Sequence, residues 1–285
     1  MRVLNYGLGT NSTALAIEAT NRGIIFDLIV TADTGDERGH SYSFAKIFDR
    51  WLTDHGQPSI TWTRWERKDG SFVPISRLSL LRGELPSKAY GLSGCTSKWK
   101  QQPVDKLLRN HPMVRECVDG GGLVERWIGY DADEPSRAER MLAKNPQPTR
   151  SKTTRKKASD GSVESTKHAI VMPHWRWMCP LVDWDMGRDE CVNTIVSAGL
   201  PLPGKSSCFM CPSMKKHEIL QMAAECPDEM RRALEIEDRA RASGNLTTVR
   251  GLGRSFSWRE FLDGQPSACA AREVVEEECG CFDGG

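Results

Sequence analysis

Two short stretches carry residue types and spacings suited to chemistry. The first is Cys208-Phe209-Met210-Cys211-Pro212, a pair of thiols in a Cys-x-x-Cys arrangement. That spacing on a turn suits ligation of one metal ion. One pair does not complete a tetrahedral site, so other ligands must come from elsewhere in the chain. The second is Tyr6-Gly7-Leu8-Gly9-Thr10-Asn11-Ser12-Thr13-Ala14, which reads as a strand end, a Gly-rich turn and a helix start. Gly7 and Gly9 allow positive φ and close approach of an anion. Ser12 and Thr13 add hydroxyls and N–H groups at a helix N-terminus, where the dipole favours phosphate or sulfate.

Three loop types are candidates for the second stretch. A Walker A loop needs Gly-Lys-Ser/Thr, and this turn has no Lys. A dinucleotide fingerprint needs Gly or Ala where Ser12 stands. The pyrophosphate loop of the adenine nucleotide α-hydrolases, usually Ser-Gly-Gly-x-Asp-Ser, matches at Gly9 and Ser12 and differs at its first Ser, its second residue and its Asp. Taken alone, the stretch is described more simply as a tight strand-to-helix turn with no ligand.

The elements that must position these residues follow from hydrophobic patterning. Ile24 to Ala32 is a near-continuous apolar run, as expected of a strand buried on both faces of a parallel sheet, and it ends in Asp33-Thr34-Gly35-Asp36-Glu37. Polar residues there lie where open α/β sheets bind ligands, or else cap the next helix. His40 to His55 is an amphipathic helix, Ile60–Trp65 a third strand, and Pro103–Leu108 continues a helix beginning after Cys95. Leu123–Gly129 is a fourth strand, leading into Tyr130-Asp131-Ala132-Asp133-Glu134-Pro135-Ser136-Arg137. Residues 141–167 are basic, rich in Ser and Thr and poor in apolar side chains, and are expected to form a solvated loop. Its basic residues 150–157 offer a contact for a nucleic-acid acceptor. His168–Met172 resumes strand character, Asp185–Ala198 is helical, and Ser213–Ser243 is a charged helical stretch.

With 39 Lys and Arg against 38 Asp and Glu, the chain has a net charge of +1, so no global field argues for nucleic acid or membrane. No apolar run suits a bilayer span and the first residues lack a signal-peptide core, so the cytoplasm is the expected compartment. Ten cysteines in a reducing compartment point to metal ligands, reactive thiols or core residues rather than disulfides. Cys117, Cys191, Cys226 and Cys269 are expected to be structural.

The ordered set of motifs resembles the phosphoadenosine phosphosulfate (PAPS) reductase-like branch of the adenine nucleotide α-hydrolase (PP-loop) superfamily, closer to its bacterial and phage members than to the assimilatory sulfate enzymes. The resemblance rests on Tyr6–Ala14, Ala32–Glu37, Cys95-Thr96-Ser97-Lys98-Trp99-Lys100 with Pro103, and Ile128-Gly129 with Asp133-Glu134 and Arg137-Ala138. It continues through Pro180–Trp184 and Gly199–Pro212, so it spans residues 3–212. It implies an α/β fold with a doubly wound, mostly parallel five-stranded sheet over residues 1–200. A small helical subdomain, 201–285, would carry the Cys-x-x-Cys pair and the Cys-rich tail.

By the same resemblance, Gly7, Gly9, Thr10, Asn11, Ser12 and Thr13 would cradle the phosphates of ATP, or of adenylyl sulfate or PAPS, with Mg²⁺. Asp33, Thr34, Gly35 and Gly129 would line the nucleotide. Asn11 replaces the loop's usual Asp and loses a formal charge. Arg137 is a candidate oxyanion clamp, since its guanidinium matches phosphate geometry, or else an ion-pair partner of Glu134 one turn back. Cys95, Cys208 and Cys211 are expected to ligate a [4Fe–4S] cluster with one iron open; zinc is the alternative, with Cys279, Cys281 or His217 as fourth ligand, and a redox dithiol the other. The expected reaction is adenylation-coupled sulfur transfer from a sulfur donor. Two alternatives stand beside it. One is sulfonucleotide reduction with Cys279 as the nucleophile, because Glu278-Cys279-Gly280-Cys281 is similar to a reductase tail; the other is a non-enzymatic nucleotide- and metal-binding module.

Overall fold

The computed structural model describes residues 1–145, 150–157, 162–170 and 174–264. Its centre is a parallel sheet. In chain order the elements are β1 (Arg2–Asn5), α1 (Thr10–Asn21), β2 (Leu28–Asp33), α2 (Gly39–Asp54), β3 (Ile60–Arg64) and α3 (Ile75–Arg82). A one-turn 3₁₀ helix (Ser87–Tyr90) and a π-helix (Cys95–Gln101) then lead into α4 (Gln102–Asn110), α5 (Pro112–Asp119), β4 (Val124–Ile128) and α6 (Pro135–Leu142). A hairpin, β5 (Arg150–Lys157) and β6 (Val163–Ile170), precedes β7 (Trp175–Met178). The chain continues through α7 (Pro180–Asp183), α8 (Arg188–Ser197), α9 (Lys216–Glu225), α10 (Pro227–Ala242) and α11 (Trp258–Asp263).

The sheet has five strands in the order β3-β2-β1-β4-β7, and every pairing is parallel. The strand order reverses between β1 and β4. Such a switch point opens a crevice at the carboxyl ends of the strands. Strand alternation assigns the two faces. Leu4, Tyr6, Ile29 and Trp127 point to one side and bury Leu15, Phe44, Phe48 and Ile195 from α1, α2 and α8. Val3, Val30, Ala32 and Val124 point to the other and pack on Val104, Leu108 and Val114 from α4 and α5. The result is a doubly wound α/β architecture, as the resemblance implied.

A second core joins Ile75, Trp99, Phe209, Met210, Ile219, Met222, Ile236 and Trp258. It therefore draws on residues 75–99 as well as on the C-terminal helices.

Several boundaries depart from the sequence expectation. The basic stretch 141–167 contains a paired antiparallel hairpin, with Arg150 opposite Ile170 through Lys157 opposite Val163. The two strands pair along their facing edges as a separate two-stranded sheet. His168 falls in that hairpin, and the fifth strand of the main sheet is Trp175–Met178, where Trp175 is buried. Residues 213–243 form two helices broken at Cys226-Pro227, because proline cannot donate the N–H that a continuous helix needs. The second strand begins at Leu28 rather than Ile24, since Gly23 turns the chain at φ +70° and the Phe26 N–H donates to Gln57 Oε1 at 3.1 Å.

Candidate functional site

The loop between β1 and α1 closes on itself. The Gly7 N–H donates to Ser12 Oγ at 3.1 Å, and Ser12 Oγ donates to the Gly9 carbonyl at 3.1 Å. Thr13 Oγ1 donates to the same carbonyl at 2.9 Å and lies 3.2 Å from the Tyr6 hydroxyl. Between the glycines, Leu8 takes φ +62° with its side chain buried, a conformation that costs a non-glycine residue about 1–2 kcal/mol. The first intrahelical bond runs from the Thr13 N–H to Gly9 O at 3.1 Å, so the N–H groups of Thr10, Asn11 and Ser12 precede the helical ladder. Backbone donors in that position, with the helix dipole behind them, suit a phosphate.

Gly129 follows β4 and abuts this turn. A Cβ there would stand 2.7 Å from the Ser12 nitrogen and 2.9 Å from Asn11 C, so only glycine lets the helix start approach the strand end. Its placement accounts for Gly129 as a packing residue beneath the loop. Asn11 is held from both sides: its Nδ2 donates to Asp131 Oδ2 at 2.7 Å, and Arg188 Nη1 donates to its Oδ1 at 2.9 Å. Arg188, at the start of α8, therefore brings a guanidinium to the loop. Arg137 forms an ion pair with Glu134 and lies 4.6 Å from the centre of the Tyr130 ring. Arg188 is thus hydrogen-bonded directly to a residue of the loop.

At the end of β2, Asp33 Oδ1 accepts from the Gly35 N–H at 2.7 Å and from the Tyr42 hydroxyl at 2.6 Å. Gly35 takes φ +75°, and a Cβ there would meet the Phe72 ring at 2.6 Å. Thr34 is fully buried, with Oγ1 3.3 Å from Cys208 Sγ and 3.4 Å from Glu37 Oε1. Thr34 thus faces the thiols.

The segment carrying Cys208 threads between the loop and the end of β2. Ser206 Oγ donates to the Gly7 carbonyl at 2.6 Å, the Arg38 N–H to Ser207 O at 3.1 Å, and the Phe209 N–H to Asp36 O at 3.0 Å. Burial, reinforced by Glu37, pushes the Cys208 thiol well above its ordinary range. Lys100 Nζ pairs with Glu37 Oε1 at 3.0 Å, and both side chains are buried. Cys95 opens the π-helix, where its N–H donates to Ser87 Oγ at 2.8 Å and its Sγ lies 3.1 Å from the same hydroxyl.

Cys95, Cys208 and Cys211 line one small cavity of about 40 Å³, walled by Ile75, Pro86 and Met210. Three thiols around one space are a suitable donor set for a cysteine-ligated centre. Their placement does not complete one: among the described residues no group of three or more His, Cys, Asp or Glu side chains is arranged to hold a metal ion. His217 is exposed on α9 and does not line this cavity. Cys269, Cys279 and Cys281 lie outside the described residues. Cys191 is buried against α1 and α2, Cys117 and Cys226 pack beside the cores, and Cys179 is buried near α6.

Motif matching missed Glu37, Lys100, Arg188 and Ser206 as parts of the site. Glu37, Lys100 and Ser206 lie within the stretches that carry the resemblance, but nothing in their spacing signals what they touch. No protein-family model matches the chain, and no curated protein matches it. Fold and site together define a doubly wound α/β protein with a Gly-rich turn at the topological switch point and a three-thiol cavity beside it. No helix among the described residues is long and apolar enough to cross a membrane.

Proposed function

We propose that the chain is a PAPS reductase-like PP-loop enzyme that binds ATP at Gly7–Thr13 and couples adenylation of an acceptor to sulfur transfer at the Cys95, Cys208 and Cys211 cavity. The observation that carries this proposal is the hydrogen bond from Ser206 Oγ to Gly7 O at 2.6 Å, two residues before Cys208. It ties the anion-binding turn to the thiol segment, which the chemistry requires. The acceptor's oxygen attacks the α-phosphorus of ATP and pyrophosphate leaves; sulfide-level sulfur from a donor then displaces AMP. The loop N–H groups and Arg188 supply preorganised positive charge to the phosphates, with Mg²⁺ as the expected counter-ion. Asp131, held against Asn11, is the carboxylate nearest the loop's substituted position.

Cys95, Cys208 and Cys211 are the thiols that would ligate a cluster, if one is bound. The full-length protein, purified anaerobically, is expected to release pyrophosphate from ATP, with release lost in Ser12→Ala. Cys208→Ser is expected to keep ATP binding and lose sulfur transfer. Sulfite release from adenylyl sulfate, abolished by Cys279→Ser, would replace this proposal with reduction. Nucleotide binding without either release would make the chain a binding module.

A further inference from the structure

The π-helix Cys95–Gln101 is a shared wall. Cys95, Thr96 and Lys100 face the thiol cavity, whereas Ser97 and Gln101 line a separate groove of about 390 Å³ beside α4. Helical segments of this geometry are rare and concentrate at functional sites. The groove lies over the sheet face opposite α1, and no residue of the Gly7–Thr13 turn lines it.

Its inner end is Arg126, a guanidinium almost wholly removed from water. Arg126 Nη1 donates to Asp105 Oδ1 at 2.6 Å and Nη2 to Asn5 Oδ1 at 2.8 Å, while Nε has no hydrogen-bond partner among the described residues. The group lies 5.1 Å from the centre of the Trp175 ring and 4.2 Å from that of Trp177. A buried arginine with a spare donor is costly to keep unless something else uses it. Toward solvent the groove is lined by Arg64, Lys106 and Arg109. Asp105 balances Arg126 and Glu66 balances Arg64 at 3.4 Å, so Lys106 and Arg109 leave the groove with an excess of two positive charges. Trp65 and Trp175 add aromatic surface, and Gln101 and Gln102 add amides.

We propose that this groove is a second binding site, distinct from the Gly7–Thr13 turn, for a nucleoside phosphate. Lys106, Arg109 and Arg126 attract the phosphate, and the half-buried Trp65 packs on the base. Cations around aromatic surface are how proteins hold single nucleotides and single strands without sequence preference, and a cavity of this size accommodates one nucleotide. An inorganic anion would use the charges and leave the aromatic walls idle. The site stands without the reaction proposed above; only the further step rests on it, that the sulfur acceptor is itself a nucleotide, delivered across the π-helix from Cys95.

The test uses the full chain with two probes: thymidine 5′-monophosphate, followed by tryptophan quenching, and a fluorescein-labelled ten-residue oligothymidylate, followed by anisotropy. Both are expected to bind. Lys106→Ala/Arg109→Ala should weaken both at least tenfold and lower the salt slope of oligonucleotide affinity by about 1.4, from about 0.7 per phosphate contact, while the ATP binding that Ser12→Ala removes stays within twofold. Tighter binding of the strand than of the monophosphate identifies a nucleic acid as the source; equal binding identifies a free nucleotide. Failure of both probes to bind the unmodified protein, or unchanged affinity in the double variant, overturns the proposal. So does parallel loss of ATP binding, which would make the groove part of the ATP site. Loss of pyrophosphate release with the groove intact would sink the reaction and leave this site standing.

Discussion

Ser206 Oγ sits 2.6 Å from the carbonyl oxygen of Gly7, joining residues 199 positions apart in the chain. One partner belongs to the Gly7–Thr13 turn, the other to the segment that delivers Cys208. Removing the hydroxyl leaves a partly buried carbonyl without this donor, a cost of about 1–3 kcal/mol. Ser206→Ala is therefore expected to lower unfolding stability by about that amount and to weaken ATP binding about fivefold. Urea unfolding and calorimetric titration with ATP check the two effects separately.

Gly129 packs against backbone rather than against a side chain that could move aside. In Gly129→Ala the new methyl carbon would stand 2.7 Å from the Ser12 nitrogen, so α1 must shift. The expected loss is about 2–3 kcal/mol of stability, with ATP affinity falling further than in Ser206→Ala because the turn itself is displaced. An affinity equal to that of the unmodified protein would show that the first turn of α1 does not bind the nucleotide.

The Lys100–Glu37 pair lies beside Cys208, with side chains only 9% and 1% exposed. Breaking a buried pair strands a charge, at a cost of about 3–5 kcal/mol. Lys100→Met is expected to destabilise by that order. Glu37→Gln added to it should recover part of the loss by removing the stranded carboxylate. A double-mutant cycle in urea measures the coupling.

Asp36 gives a pH signature. Burial, only partly offset by hydrogen bonds from Ser76 and by Arg232, raises its carboxyl from 3.8 to about 6. The folded state therefore holds this proton more tightly than the unfolded chain. Its contribution is most favourable below pH 3.8 and is lost as the pH rises through about 6. Asp36→Asn should remove that slope and gain about 2–3 kcal/mol at pH 7 relative to the unmodified protein, provided the amide keeps the 2.7 Å bond from the Ser76 N–H. Comparing urea midpoints of the two proteins at pH 4 and pH 7 tests the sign.

Much of the architecture was legible in the chain. The runs around Val30 and Trp127 read as strands with two buried faces, and Gly7-x-Gly9 followed by Ser12 marks a strand-turn-helix junction, although the positive φ falls on Leu8 and Gly9 is extended at φ −117°. Those signals are local, so the sequence contains them. The pairing of Arg150–Lys157 with Val163–Ile170 was not legible, because the sequence there carries no apolar alternation for a core to read. The site was legible in its reactive groups and illegible in its supports. Cys208 announces itself by its spacing to Cys211, but Glu37, Lys100 and Thr34 surround it only because the end of β2, the π-helix and the 206–209 segment converge in space. Likewise, Arg137 stood in the motif and Arg188 did not, yet Arg188 reaches Asn11. Which cation serves a loop is set by long-range packing of α8 on α1, and one-dimensional spacing does not encode that distance.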